Sequence, residues 1–187
     1  GGLAPLLQTL SDKENPPRIE IIGPKGTIKS IDQQLDSLIF DKRNLDLDVK
    51  EFDPKGIETC KETSNYIITC AKMDHGPACL AYSFKEKDTR KVNLKKAKDI
   101  GTKEGNMIGK LTRGQKAKVE TKTIAPNDIT TIKKGKRVSF VFDTRPCKNA
   151  IDIAKDSDIL ITEAVYWPDC KEQAEKYKHL TTEDSGY

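Results

Sequence analysis

Asp143, Glu163 and His179 each follow a short apolar or helical segment into a polar one, and these are the residues with chemistry to offer. In Val138-Ser-Phe-Val-Phe-Asp-Thr-Arg-Pro-Cys147, a β-branched and aromatic run ends at Asp143, and Pro146 stops the strand from continuing. A second run, Ile159-Leu-Ile-Thr162, also ends in a carboxylate, Glu163. His179 lies in the polar stretch Lys178-His-Leu-Thr-Thr-Glu183, and the only other histidine, His75, directly follows the run Tyr66-Ile-Ile-Thr-Cys-Ala71. Carboxylates and imidazoles hold cations and move protons near neutral pH. The carboxyl ends of buried strands are where α/β proteins place such groups. Each residue also has a plain structural reading. His75 and Glu163 can be exposed groups at strand ends, Asp143 a cap or turn former, and His179 part of a helix start.

The elements that must position these residues can be read from periodicity. Arg18 to Ile22 is a short strand, closed by the turn Gly23-Pro-Lys-Gly26. Thr27 to about Phe40 has helical spacing, with Ile28, Ile31, Leu35 and Leu38 on one side. Leu45 to Phe52 alternates as an edge strand, and Tyr66–Ala71 and Ala78–Phe84 are further strands, so this part reads as mostly β with hairpin-length connections. Leu94 to Ile100 is a helix, Lys116 to Ile124 a strand and Ala125-Pro-Asn-Asp128 a turn. Ala150 to Asp156 and about Asp169 to Tyr177 are helices. Gly1-Gly-Leu-Ala-Pro-Leu-Leu-Gln-Thr-Leu10 reads as the start of a buried helix.

Charge divides the chain unevenly. Residues 85–137 hold 17 Lys and Arg against 6 Asp and Glu, an excess larger than the +4 of the whole, so the rest is net acidic. A one-sided run of this length is either a solvated surface or a polyanion-binding arm. From Lys85 to about Gly114, four glycines and few apolar residues leave little to bury, so that stretch is expected to project from the core. The apolar runs are too short to span a membrane, and no leader pattern opens the chain. Five cysteines without metal-site spacing fit a reducing compartment, and Cys60, Cys70 and Cys79 read as small buried hydrophobes.

Seven collinear segments give the chain a resemblance to the ribonuclease Z family, the tRNA 3′-processing endonucleases of the metallo-β-lactamase superfamily, and above all to its short archaeal forms. Gly2-Leu-Ala-Pro-Leu-Leu-Gln-Thr9 is similar to the family's G-L-x-G-L-L-Q-T helix, and Ile22-Gly-Pro-Lys-Gly26 to its I-x-G-P-x-G turn. Asp74-His75 with Ala81-Tyr82 resembles the H-x6-Y element, Lys110 to Gly114 the G-K-L-x-x-G segment, and Asp143-Thr-Arg-Pro146 the D-T-R-P element. Glu163-Ala164 resembles the H-E-A-T-F strand end, and His179-Leu-Thr181 the H-S-T loop with leucine in place of serine.

The resemblance implies an α/β fold, a metallo-β-lactamase-type sandwich of two mixed β-sheets flanked by helices. Residues 1–84 and 116–187 would form the core, with residues 85–115 as an inserted flexible arm. It also implies a zinc-dependent endoribonuclease that cleaves precursor tRNA 3′ of the discriminator base, with two zinc ions per complete site. His75 would ligate metal, Asp143 would bridge the two ions, and His179 would protonate the leaving oxygen with Glu163 orienting it. Lys95, Lys96, Lys98, Lys103, Lys110 and Arg113 would grip tRNA phosphates, and Thr181 would meet a phosphate near the imidazole. A cytoplasmic homodimer is the expected setting. The family's H-x-H-x-D-H signature is expected ahead of Gly1 and its last ligand histidine beyond Tyr187, so the chain is expected to be part of a longer protein. By itself it should bind zinc weakly and not cleave. Two alternatives remain: another phosphodiesterase of the same fold, and a non-catalytic RNA-binding fragment.

Overall fold

The computed structural model describes residues 2–37, 45–101, 105–119 and 121–186. Helix α1 (Leu3–Ser11) leads into strand β1 (Ile19–Pro24), helix α2 (Thr27–Ser37) and strand β2 (Leu47–Phe52). β1 and β2 pair in parallel, from Ile19 opposite Leu47 to Pro24 opposite Phe52. Parallel neighbours need a crossover, and α2, expected from the spacing of Ile28, Ile31 and Leu35, supplies it. Gly26, at φ +99°, makes the turn into α2 that a side chain would strain. Leu7, Ile31 and Leu35 pack from the helices onto Ile19, Ile21, Leu47 and Val49. The stretch of the expected helix beyond Ser37, including Leu38, lies outside the described residues.

Strands β3 (Glu58–Glu62), β4 (Tyr66–Lys72) and β5 (Leu80–Glu86) follow. β3 escapes a reading of periodicity because Glu-Thr-Cys-Lys-Glu has no apolar alternation, as suits a charged edge strand. The insert comprises β6 (Thr89–Val92), α3 (Leu94–Asp99), α4 (Gly105–Thr112), β7 (Ala117–Val119), β8 (Lys122–Ile124), α5 (Pro126–Ile129) and β9 (Thr130–Lys133). The chain closes with β10 (Arg137–Val141), α6 (Lys148–Ala154), β11 (Ile159–Thr162), α7 (Lys171–Tyr177) and α8 (Thr182–Ser185).

Five strands form one mixed sheet in the order β11-β10-β5-β4-β3, with only the β10–β11 pair parallel. Helix α6 covers one face, where Ala71, Met73, Ala81, Val141, Ala150 and Ile153 form the core. Each large aliphatic side chain buried there contributes about 1.5–3 kcal/mol. Ser139 is also fully buried in this layer, with Ser83, Ser157 and the Ile153 carbonyl within 3.0 Å of its hydroxyl. The single Ser139 proton is shared between Ser83 Oγ and the Ile153 carbonyl, both of which accept from it, while Ser157 donates to Ser139. The opposite face meets the β1–β2 sheet through Tyr82, whose hydroxyl donates to the Ile22 carbonyl at 2.8 Å, and through the Lys61–Glu20 ion pair. On that same face Phe140, Ile159 and Ile161 remain exposed.

The insert departs most from its expectation. Ala97, Leu111, Ala117, Ile124 and Ile129 form a separate buried cluster, supported by Val92, Ile100 and Met107. Antiparallel pairing of β6 with β9 closes the unit at Lys133, so its core includes residues beyond the expected limit at 115. The single strand read over Lys116–Ile124 is a hairpin, and the turn at 125–128 is mostly the short helix α5, in which Asp128 accepts the Ala125 amide at 2.7 Å. Few apolar residues suffice because they recur on the inner faces of two short helices and a hairpin.

Candidate active site

β5 runs antiparallel to both β4 and β10, and β11 runs parallel to β10, so the carboxyl ends of β4, β10 and β11 share one sheet edge. The loop after β4 carries His75, the loop after β10 carries Asp143, and Glu163 directly follows β11. His179 follows α7, where Lys178 takes the left-handed conformation at φ +58° that ends the helix. Asp143 is also left-handed, at φ +49°, so its side chain leaves the strand direction at the sheet edge. Such backbone is costly for residues with a Cβ and concentrates at functional sites.

The structure brings His75, Asp143 and His179 together, with one potential ligand atom from each within 4.8 Å of the others. The two imidazoles lie 5.1 Å apart, centroid to centroid. Nδ1 of His75 is 3.2 Å from the Lys178 carbonyl, and Nδ1 of His179 is 2.8 Å from Glu163 Oε2. A carbonyl cannot donate and an ionised carboxylate cannot either, so both Nδ1 atoms carry hydrogen. The Nε2 lone pairs of the neutral rings are therefore free. Metal-ligating histidines are oriented in this way, by an acceptor on the far ring nitrogen. Two imidazole nitrogens and a carboxylate oxygen make a donor set that suits zinc and fits one cation.

Glu163 is nearly buried, and both of its oxygens are used. Oε1 accepts the amides of Thr144 (3.0 Å) and Leu180 (3.3 Å), while Oε2 takes His179. One carboxylate thus joins the ends of β10 and β11 to the histidine loop. Asp143 does not cap α6, whose first position is held by Cys147. Beside these carboxylates, burial pushes the Cys79 thiol up to about 11, with Asp143 and Glu163 adding to the effect.

Four residues of this edge escape sequence reasoning. Buried Thr144 accepts the Asp74 amide through Oγ1 (3.1 Å) and donates to the Arg145 carbonyl (2.8 Å). Asp74 receives Lys178 Nζ at 2.9 Å and Arg145 Nε at 2.7 Å, and Arg145 also pairs with Glu175. The Lys178 and Arg145 bonds hold the Asp74 carboxyl below the usual carboxylate range. Only proximity in the sequence hints at them, since Asp74 precedes His75, Lys178 precedes His179 and Thr144-Arg145 follows Asp143.

The expected phosphate contact at Thr181 is not borne out. Thr181 is fully buried, donates to Asp184 Oδ2 at 2.7 Å and accepts the Asp184 amide at 3.2 Å. It is the N-cap of α8, with its hydroxyl saturated. Of the expected arm contacts, Lys95, Lys96, Lys98, Lys110 and Arg113 are exposed on the insert, and Lys103 lies outside the described residues. The insert is rooted where β5 ends and β10 begins, at the sheet edge opposite the histidines. No described helix is long and apolar enough to cross a membrane.

No family model matches the chain. A ribonuclease Z of Nanoarchaeum equitans is 31% identical over 184 residues, covering 98% of this chain and 57% of that relative. The chain thus spans little more than half the length of the curated protein it matches. Human tRNase Z, short form, superposes with a TM-score of 0.57 at 13% identity, covering 99% of this chain and 60% of that one. The metallo-β-lactamase fold protein YhfI from Bacillus subtilis gives 0.51 at 13% identity, over 98% and 52% of the two chains. Sequence and fold agree with the edge that gathers His75, Asp143 and His179: the chain has the metallo-β-lactamase fold and belongs to the ribonuclease Z family.

Proposed function

We propose that this chain supplies part of the active face of a zinc-dependent endoribonuclease that matures the 3′ ends of precursor tRNAs. The convergence of His75, Asp143 and His179 at one sheet edge, in a chain of this family, carries the reading. His75 and Asp143 would supply donors to the metal, with His179 beside them, and a complete two-zinc centre would draw its other ligands from outside the residues described here. Zinc bound there lowers the pKa of a neighbouring water towards about 7, which makes hydroxide available at neutral pH.

The chain's own residues do the rest. Glu163 accepts the Nδ1 hydrogen of His179 and so aims Nε2 at the reacting phosphodiester; when the ring carries a second proton, on Nε2, it would give that proton to the leaving oxygen. The basic insert binds the body of the tRNA through phosphates, with little sequence reading. From the insert's root to Asp143 runs the length of β10, about 17 Å for a strand of this size. That separation lets one tRNA touch both ends.

The test is cleavage of a precursor tRNA carrying a 3′ trailer by the whole protein, together with its zinc content. Zinc-dependent cut at the discriminator base is the expected result. His179→Ala should lower the rate by about 10²–10⁴-fold while leaving tRNA affinity intact. Cleavage of small cyclic nucleotides in preference to tRNA, or wild-type turnover by the variant, would overturn the reading.

A further inference from the structure

Three segments distant in sequence must keep their spacing if His75 and Asp143 are to hold a cation beside His179, and a single carboxylate sits at their junction. Asp74 Oδ1 accepts from Lys178 and Oδ2 from Arg145, so each oxygen faces a different segment. Its backbone is held as well, with its amide donating to Thr144 and its carbonyl accepting the Arg145 amide at 3.2 Å. The neighbours of these partners are the site residues. Arg145 and Thr144 follow Asp143, Lys178 precedes His179, and Asp74 precedes His75. Lys178 acts twice, through its ammonium on Asp74 and through its carbonyl on His75 Nδ1.

We propose that Asp74 is a positioning residue: by holding Lys178 and Arg145 together, it keeps the loops of His75, Asp143 and His179 in register and so sets the site's affinity for a divalent cation. The proposal rests on the reading of this edge as a cation site. With the Asp74 carboxylate removed, Lys178 loses its tether to the loop of His75, the carbonyl that selects the His75 tautomer drifts, and the donors no longer converge. The groups involved are half-exposed, so water can replace the lost bonds and the fold should survive.

Two readouts test this on the 187-residue chain, with Co²⁺ as the probe. Visible absorption gives the Co²⁺ affinity, and ¹⁵N spectra of the imidazoles give the tautomers, with only two histidines to assign. Asp74→Ala should weaken Co²⁺ binding by about 10–100-fold, the range for residues that orient metal ligands. It should also turn His75 from the Nδ1–H form into a mixture. Lys178→Met, which keeps the carbonyl and loses the ammonium, should do the same, and Lys178→Arg should restore wild-type behaviour. Unchanged affinity and unchanged His75 signals in both Asp74→Ala and Lys178→Met would overturn the proposal. If the whole protein takes up no Co²⁺, the cation reading fails separately. The imidazole spectra then decide the clamp alone: a His75 change supports it and no change refutes it.

Discussion

The two ends of β10 are held by different forces. At its carboxyl end, Asp143 and its neighbours are fixed by polar bonds between segments far apart in the chain, with Glu163 and Asp74 each tying two or more loops. At its amino end, the insert is held by an apolar cluster drawn only from residues 92–129. Its surface ion pairs, Lys134 with Asp88 and Lys136 with Asp158, are exposed and add little. Polar bonds are directional and place side chains to within a fraction of an ångström. Apolar contacts hold a unit together and leave its charged surface free. A site that must converge on an ion needs the first, and a charged surface of the kind proposed to bind tRNA needs only the second.

The contrast can be broken by experiment, starting from the largest effect. His179→Ala should lower turnover and spare affinity, whereas the arm should show the reverse. Replacing Leu111, fully buried in the arm, by alanine should cost about 2–5 kcal/mol of local stability. Hydrogen exchange should then show lost protection in β7 and β8 with β4 and β5 unchanged. A single transition that loosens both regions together would end the claim that the insert has its own core.

Smaller effects sharpen the comparison. Reversing three of Lys95, Lys96, Lys98 and Lys110 to glutamate should weaken tRNA binding and flatten its salt dependence, by about 0.7–0.9 in slope per lost phosphate contact. An unaltered slope returns the run to a solvated surface. Ser139→Ala, in the core between the two ends, removes the hydroxyl that joins Ser83, Ser157 and the Ile153 carbonyl and should cost about 1–3 kcal/mol. Equal melting of variant and wild type would show that water or a neighbouring serine replaces that bond.

Much of the scaffold was legible because apolar runs that stop at a charge are strong local signals. β4, β5, β10 and β11 all follow that pattern, and α2, α3, α6 and α7 follow helical spacing or composition. β3, α4 and the β6–β9 ribbon were not legible, since their residues are mostly charged or small and are ordered by partners rather than by their own preference. Thr181 shows the same limit at the site. Its hydroxyl beside a histidine suggests a ligand contact, and the capping of α8 claims it first.

The sequence by itself determined which residues could act and that Asp143 and Glu163 would end strands, because a carboxylate after a β-branched run cannot remain in an apolar layer. Only the tertiary structure decided that His75 and His179, more than a hundred residues apart, face the same carboxylate edge. It also decided which ring nitrogens are occupied and that Asp74 stands between their loops. The reason is physical: hydrogen bonds between distant segments form only after strand order has brought three carboxyl ends to one edge of the sheet, and no local pattern encodes that order.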